Sequence, residues 1–163
     1  MMKRNLILCI VIISLFLSGC YSPQGRYYNN DEKVVGESDS YDYSNRKGEI
    51  KDNEVSLEIS FSGFDTIWII EAFEDTELKC SYEAEITRGD FKVVLISPDK
   101  EITSTIEGDF DDEIVFNLEK GTNIIKIVGN NAKGSFKIRV IDEDEDMKNI
   151  TIKANTKEKF PLE

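Results

Sequence analysis

The sequence predicts an all-β domain, an antiparallel β-sandwich of jelly-roll or immunoglobulin-like type with about eight strands. Strict alternation of apolar and polar side chains begins abruptly at Glu54. Short strand-like segments then follow at intervals of roughly a dozen residues, turn residues separate them, and no segment has a helical period. This pattern predicts one sandwich domain at residues 54–153, followed by a polar tail at residues 154–163.

The strands are predicted from two kinds of apolar pattern. Strict alternation is typical of a strand with one face buried, and a dense apolar run is typical of a strand with both faces covered. The predicted strands are 55–61, 66–73, 78–86, 91–96, 101–106, 114–118, 123–128 and 136–140, with one further edge strand at 149–152.

Turn residues stand between several of these strands. Residues 97–100 place a proline where a type I or type II turn uses it. Residues 119–122 suit a short hairpin, and residues 130–134, which are rich in asparagine and end in glycine, suit a longer one. Hairpin connections of this kind predict antiparallel pairing throughout.

Three features of these strands allow both a functional and a structural interpretation. Trp68 could be a platform for a sugar, but its isoleucine neighbours favour a place in the core. Cys80 lies on the apolar face of its strand, which favours a buried thiol over a nucleophile. Arg88-Gly89-Asp90 is the tripeptide that integrin-binding proteins display, but a hairpin that needs a glycine with positive φ is the favoured reading.

The second half of the domain, from Phe91 to Val140, resembles the late strands of small bacterial sandwich modules appended to exported proteins. The resemblance lies in a strand that ends in Ser97-Pro98-Asp99 and in the approach to the last long hairpin, Leu118 to Thr122. Modules of that kind serve in adhesion, in glycan binding and as spacers. The resemblance therefore supports the fold and leaves the function open.

The first twenty residues have the three parts of an export signal. Lys3 and Arg4 give a positive start, and residues 6–17 are almost continuously apolar. An apolar run of this length is shorter than the roughly 20 residues that a membrane-spanning helix needs. Residues 1–19 are therefore predicted to be a cleaved signal peptide.

The end of this segment, Leu17-Ser18-Gly19-Cys20, resembles the lipobox of bacterial lipoproteins. The resemblance implies cleavage before Cys20, a diacylglycerol thioether on its sulfur and a protein held on the extracytoplasmic face of the plasma membrane. Two or more acyl chains hold a protein far more firmly than one. The alternatives are an ordinary secretory signal with a chance cysteine, or a buried apolar helix.

The net charge restricts the partners. The 20 basic residues include two in the signal, so the mature chain would carry 18 basic residues against 32 acidic ones, a net charge of −14. Nucleic acid is excluded as a partner, because a phosphate backbone needs a basic surface. Anionic lipid headgroups would also repel the chain, so the predicted membrane attachment depends on the lipid anchor.

Residues 20–53 are polar and poor in aliphatic side chains, and we predict that they form a disordered acidic tether. Such a tether would have a mean reach on the order of 30 Å. The tether contains five of the six tyrosines, which could stack on sugars or pair with a partner's sheet edge, although linker residues without a role are the favoured reading. These tyrosines are Tyr21, Tyr27, Tyr28, Tyr41 and Tyr43.

The sequence contains few of the residues and motifs on which catalytic sites depend. The chain has no histidine, which removes the usual general base, the histidine-dependent triads and histidine-ligated metal sites. The nearest approach to a phosphate-binding loop, residues 129–135, lacks the lysine after its second glycine. We therefore expect no enzyme activity, with a carboxylate-dependent hydrolase as the remaining catalytic alternative.

Two acidic clusters are candidate calcium sites. Residues 142–146 begin like an EF-hand loop, but Met147 stands where that loop needs glycine and Lys153 where it needs glutamate. A second cluster is predicted in a loop between strands, where carboxylates can chelate calcium without a linear signature. The candidate ligands are Asp109, Asp111, Asp112 and Glu113, with Asp142 and Asp144 as further contributors.

The sequence thus predicts a membrane-anchored extracytoplasmic lipoprotein whose domain is a non-catalytic binding or structural module. The first alternative is a calcium-dependent module that binds a glycan or a protein of the envelope, and the second is the carboxylate-dependent hydrolase. No cofactor other than calcium is expected. A ligand-binding module predicts exposed aromatic side chains or calcium-dependent stability, and a plain spacer predicts neither.

Overall fold

The computed structural model describes residues 27–36, 38–109, 111–141 and 146–156. The chain is an antiparallel β-sandwich, as predicted, built from one seven-stranded sheet. Among the described residues, no helix has the length and apolar content needed to span a bilayer. The elements are α1 (Asp31–Val34), β1 (Ser40–Ile50), β2 (Glu54–Ala72), β3 (Thr76–Ile96), β4 (Ile102–Glu107), β5 (Asp111–Leu118), β6 (Gly121–Val140), a 3-10 turn (Asp146–Asn149) and β7 (Ile150–Ala154).

Three of the strands are much longer than predicted. Strands β2, β3 and β6 contain 19, 21 and 20 residues, and each joins two of the predicted short strands. The predicted hairpins at residues 88–90 and 130–134 are therefore wrong. Both segments are irregularities inside continuous strands, where the register between β3 and β6 shifts on either side of Arg88.

The irregularity in β3 depends on a glycine. Gly89 has a φ of +73°, and the sequence predicted a positive φ at this position. A side chain at this position would collide with the backbone carbonyl oxygens of Asn130 and Asn131 on β6. A bulge of this kind bends a strand and increases its twist. The bends allow one continuous sheet to form both layers of the sandwich.

The two layers share the three long strands. The first layer has the order β1-β2-β6-β3-β5, and the second has the order β7-β2-β6-β3-β4. The halves of each long strand contribute to one buried cluster between the layers; in β2, for example, Leu57 and Ile70 both belong to it. Trp68 is fully buried in this core, as predicted, and its indole nitrogen donates a hydrogen bond of 2.7 Å to the carbonyl of Lys51.

The turns at residues 97–100 and 119–122 are confirmed. The amide of Lys100 donates to the carbonyl of Ser97 at 3.0 Å, which closes the turn between β3 and β4. Residues 119–120 connect β5 to β6, which begins at Gly121. These tight connections make neighbouring strands antiparallel.

The predicted tether is corrected by the structure. The strand β1, which the prediction placed within disordered residues 20–53, pairs with β2 from Ser40 to Ile50. The hydroxyl of Tyr43 donates a hydrogen bond of 2.9 Å to the buried carboxylate of Asp65. The segment is poor in aliphatic residues, and Ile50, backbone pairing and tyrosine packing together hold it to the sheet.

Residues 27–36 also belong to the folded domain. They include α1 and lie against the outer face of the second layer, where Val34 is fully buried. The ring of Tyr27 makes an edge contact with Phe64 at a centroid distance of 5.7 Å. The tyrosines at 27, 28, 41 and 43 are therefore packing residues, and Tyr21 lies outside the described residues.

A candidate binding groove on the first layer

A groove of about 760 Å³ crosses the outer face of the first layer. It runs over four neighbouring strands, β1, β2, β6 and β3, and ends at the segment that leads into β5. Most of the side chains that line it are polar or charged, because alternate residues of each strand point away from the core. The charged residues that line it are Lys47, Glu58, Glu83, Glu85, Asp109, Asp111 and Lys137.

Strand register brings these side chains together in rows. Ser135 of β6 lies opposite Glu58 of β2 on one side and opposite Glu85 of β3 on the other. In the next row, Lys137 lies between Ser56 and Glu83 in the same way. Directly opposed residues on neighbouring strands have Cβ atoms about 5 Å apart, so each row offers adjacent polar groups to a ligand.

The charges are unevenly distributed across the groove. On the β1 and β2 side, Lys47 lies 3.9 Å from Glu58. Lys137 reaches Glu54 at 3.8 Å, just beyond the groove. On the β3 side, no described cation lies within ion-pair distance of Glu83 or Glu85. Glu83 and Glu85 thus offer carboxylate acceptors to the groove and form no ion pair among the described residues, although Lys137 lies opposite Glu83 on β6.

A charge network limits the groove at one end. The carboxylate of Glu54 accepts a hydrogen bond of 2.7 Å from Nε of Arg139. This bond, together with the nearby charge of Lys137, lowers the pKa of Glu54 below its ordinary value. The network keeps Glu54 ionised and pairs it with Arg139 and Lys137.

The predicted calcium ligands are only partly brought together. Residues 111–113 lie on β5 and not in a loop as predicted. Successive side chains of a strand point to opposite faces, so Asp112 is directed away from Asp111 and Glu113. The carboxylate of Asp109 accepts a hydrogen bond of 2.8 Å from the amide of Ile86.

No group of three acidic or cysteine side chains suited to a metal ion occurs among the described residues. Asp142 and Asp144 lie outside the described residues, as do Leu17, Ser18, Gly19 and Cys20. The calcium site and the lipidation site therefore stay predictions.

Among the described residues, no large exposed apolar side chain lines the groove. The large hydrophobic residues that are exposed in the described part of the chain are Ile69, Phe73 and Val115, and none of them lines the groove. Phe136 contributes to the lining but is only 3% exposed. The described side chains along the groove therefore offer a ligand mainly hydrogen-bonding groups.

The sequence identified the polar faces of the strands but not the groove. Glu83 and Glu85 were visible as the polar partners of an alternating strand. Their approach to Glu58 depends on β6 lying between β2 and β3, which is a property of strand order. The only signal in the sequence was the recurrence of glutamate at alternate positions on two strands.

Neither a family model nor a curated protein matches the sequence. Among solved structures, the chain is similar to a family 35 carbohydrate binding module from an environmental isolate. The two are 13% identical with a TM-score of 0.39, and the match covers 72% of this chain and 95% of the module.

Proposed function

We propose that this protein is an extracytoplasmic lipoprotein, anchored through Cys20, whose sandwich is a non-catalytic module that binds a hydroxyl-rich envelope glycan in the groove of the first layer. The observation that carries the ligand proposal is that Glu83 and Glu85 on β3 line the groove and form no ion pair among the described residues. Carboxylates accept strong hydrogen bonds from hydroxyl groups.

The lining also distinguishes a glycan from a protein ligand. Protein interfaces have an apolar core with aromatic anchors, and the groove exposes no large apolar side chain among the described residues. A polar groove that spans several strands suits an extended ligand with many hydroxyl groups. Recognition would use hydrogen bonds to the described polar side chains.

The anchor is supported by the sequence. A positive start, a short apolar run and the lipobox-like segment ending at Cys20 occur in the order that export and lipidation require. The predicted mature charge of −14 gives no electrostatic attraction to anionic lipids, so the acyl chains would hold the protein on the membrane.

Binding of envelope oligosaccharides to the purified lipoprotein in detergent micelles tests the ligand proposal. We expect Glu83→Gln with Glu85→Gln to weaken binding about tenfold or more, because each lost charged hydrogen bond contributes about 1.5–3 kcal/mol. Glu77→Gln is the matched control: Glu77 lies on β3, is exposed and does not line the groove.

Three results would contradict the ligand proposal. If the wild-type protein binds no oligosaccharide, the ligand class is wrong. If the groove variants bind as well as the control, the groove is not the site. Release of new reducing ends from the bound oligosaccharide would instead support the carboxylate-dependent hydrolase.

Mass spectrometry of the N-terminal peptide tests the anchor. A diacylglycerol adduct on Cys20 is the expected result, and Cys20→Ser should release the protein from salt-washed membranes. Retention of the Cys20→Ser protein on those membranes would show that something other than the lipid holds it.

A further inference from the structure

The two outer faces of the sandwich differ in character. Around the groove, the outer face of the first layer is polar and charged. The outer face of the second layer has its own apolar cluster, formed by Phe64, Val94, Ile96 and Val128. The outer face of the first layer therefore suits a polar ligand from solution. The outer face of the second layer suits contact with an apolar surface.

Residues 27–36 cover only part of this second apolar face. Val34 packs into the cluster and is fully buried. Toward the end of β2, Ile69 is 40% exposed, and Phe73, directly after the strand, is 59% exposed. Ile69 points outward, because its neighbours Trp68 and Ile70 belong to the core between the layers. The second face thus keeps two large apolar side chains in contact with solvent.

We call Ile69 and Phe73 the apolar strip. This strip is continuous with the cluster of Phe64, Val94, Ile96 and Val128. Ile69 lies directly opposite Ile124 of β6, which packs against the cluster, and opposite Lys153 of β7 on its other side. Lys153 is exposed. An apolar strip flanked by a lysine is a combination found where proteins rest on lipid headgroups. The strip also contains Glu71, whose carboxylate accepts a hydrogen bond of 2.8 Å from Thr122.

The chain toward the anchor starts on this same face. Tyr27, the first described residue, contacts Phe64. The ring of Tyr28 lies 4.8 Å from the ammonium of Lys92, and its hydroxyl donates to Glu107 at 3.4 Å. Seven residue steps separate Tyr27 from Cys20. Even a fully extended chain of that length reaches only about 25 Å.

A buried ion pair fixes the other end of the covering segment. The ammonium of Lys126 donates to the carbonyl of Gly36 at 2.6 Å and lies 3.4 Å from the carboxylate of Asp39. Asp39 also accepts a hydrogen bond of 2.7 Å from Thr66. Because both ends of residues 27–36 are held, a lipid on Cys20 would be joined to the second face through only the few residues between Cys20 and Tyr27.

We propose that the outer face of the second layer rests on the bilayer, with Ile69 and Phe73 at the headgroup boundary and the groove of the first layer turned toward the aqueous side. This orientation rests on the proposed lipid anchor at Cys20, but not on the identity of the ligand. Because only a short segment joins Cys20 to Tyr27, a lipid on Cys20 would hold this face close to the bilayer. The bilayer is therefore the surface that the strip contacts. It also leaves the groove open to envelope polymers.

The orientation can be measured with the full lipidated protein in vesicles of phosphatidylcholine containing a minor fraction of phosphatidylglycerol. Lys153→Cys and Glu58→Cys place one fluorescent label on each outer face. The buried Cys80 is not expected to react. We expect spin-labelled lipid headgroups to quench the label at position 153 about twofold more than the label at position 58. Iodide in solution should show the opposite preference.

Phe73→Ser tests the apolar contact, with Val115→Ser as its matched control. Val115 is 45% exposed on β5, which belongs to the first layer alone. We expect Phe73→Ser to reduce lipid quenching at position 153, and Val115→Ser to leave it unchanged. Both substitutions replace exposed side chains, so neither should prevent folding.

The possible results distinguish a wrong orientation from a wrong proposed function. Equal quenching of the two labels in protein with a confirmed lipid adduct would overturn the orientation and leave the anchor intact. An N-terminal peptide without the adduct would overturn both the anchor and the orientation. Failure to bind any oligosaccharide, with lipid quenching as expected, would overturn only the ligand proposal.

Discussion

The ammonium of Lys126 lies 3.4 Å from the carboxylate of Asp39, and their side chains are only 1% and 6% exposed. Lys126 is on β6, and Asp39 directly precedes β1 in a segment that the sequence predicted to be disordered. A charge is buried at large cost unless it is paired and hydrogen-bonded. This pair therefore connects the folding of the N-terminal segment to the centre of the sheet.

Removing one partner of this pair should be strongly destabilising. Asp39→Asn keeps the shape and the acceptor for Thr66 but removes the negative charge that lies 3.4 Å from the buried Lys126 ammonium. We expect a loss of about 3–5 kcal/mol in the free energy of unfolding, measured by urea denaturation. Lys126→Met in the Asp39→Asn background should recover much of this loss.

The exposed pair Lys47 and Glu58 is the control for the buried one. Their side chains are 71% and 57% exposed and 3.9 Å apart. Glu58→Gln should change the free energy of unfolding by less than about 1 kcal/mol, because water screens such pairs. Equal effects of Asp39→Asn and Glu58→Gln would show that the buried pair does not hold the segment.

Gly89→Ala should destabilise the sandwich through the bend of β3. The added methyl group would meet the carbonyl oxygens of Asn130 and Asn131 at a φ of +73°. We expect a loss of about 3 kcal/mol or more, measured by thermal or urea unfolding.

The control for this substitution is Gly108→Ala. Gly108 also has a positive φ, of +96°, but an added methyl group would meet no atom within 4 Å. Only the backbone strain of about 1–2 kcal/mol is then expected. A loss at Gly89 no larger than the loss at Gly108 would mean that the contact with β6 does not determine the bend.

Stability should fall at alkaline pH through Cys80. Burial raises the pKa of this thiol to about 12, whereas an unfolded cysteine ionises near 8.5. Above the unfolded pKa the folded state retains a proton that the unfolded state loses, so the free energy of unfolding falls by up to about 1.4 kcal/mol per pH unit.

Cys80→Ala tests the contribution of the Cys80 thiol to the pH dependence of the free energy of unfolding. The variant should be less stable near neutral pH, because it leaves a small cavity, but its stability should decline less between about pH 9 and 10. Tyrosines contribute mainly above that range, since unfolded tyrosine ionises near pH 10. Identical slopes for the variant and the wild-type protein in urea unfolding would contradict a buried, protonated Cys80.

Much of the sandwich could be predicted because alternation is a local property. Leu57 and Phe116 were assigned to the buried face of their strands, and both are buried. The difference between a hairpin and a bulge was not predictable at residues 88–90, because both use a glycine with positive φ. Long-range pairing between β3 and β6 decides between the two.

The candidate groove was beyond prediction for a similar reason. The sequence shows which face of β3 Glu85 occupies. It does not show which strand lies beside β3. The same limit explains β1: its residues have little apolar surface, so their order comes from pairing with the edge of β2 and from contacts such as Tyr43 with Asp65.

The sequence by itself determined the all-β class, the apolar faces of the strands and the buried places of Trp68 and Cys80, because these follow from the local order of side chains. It also carries the predicted lipobox ending at Cys20, which is a linear signal. Only the tertiary structure decided that three strands cross both layers, that residues 27–50 join the fold and that the groove lies on one face. Those features depend on strand order and on buried pairs between residues far apart in the chain.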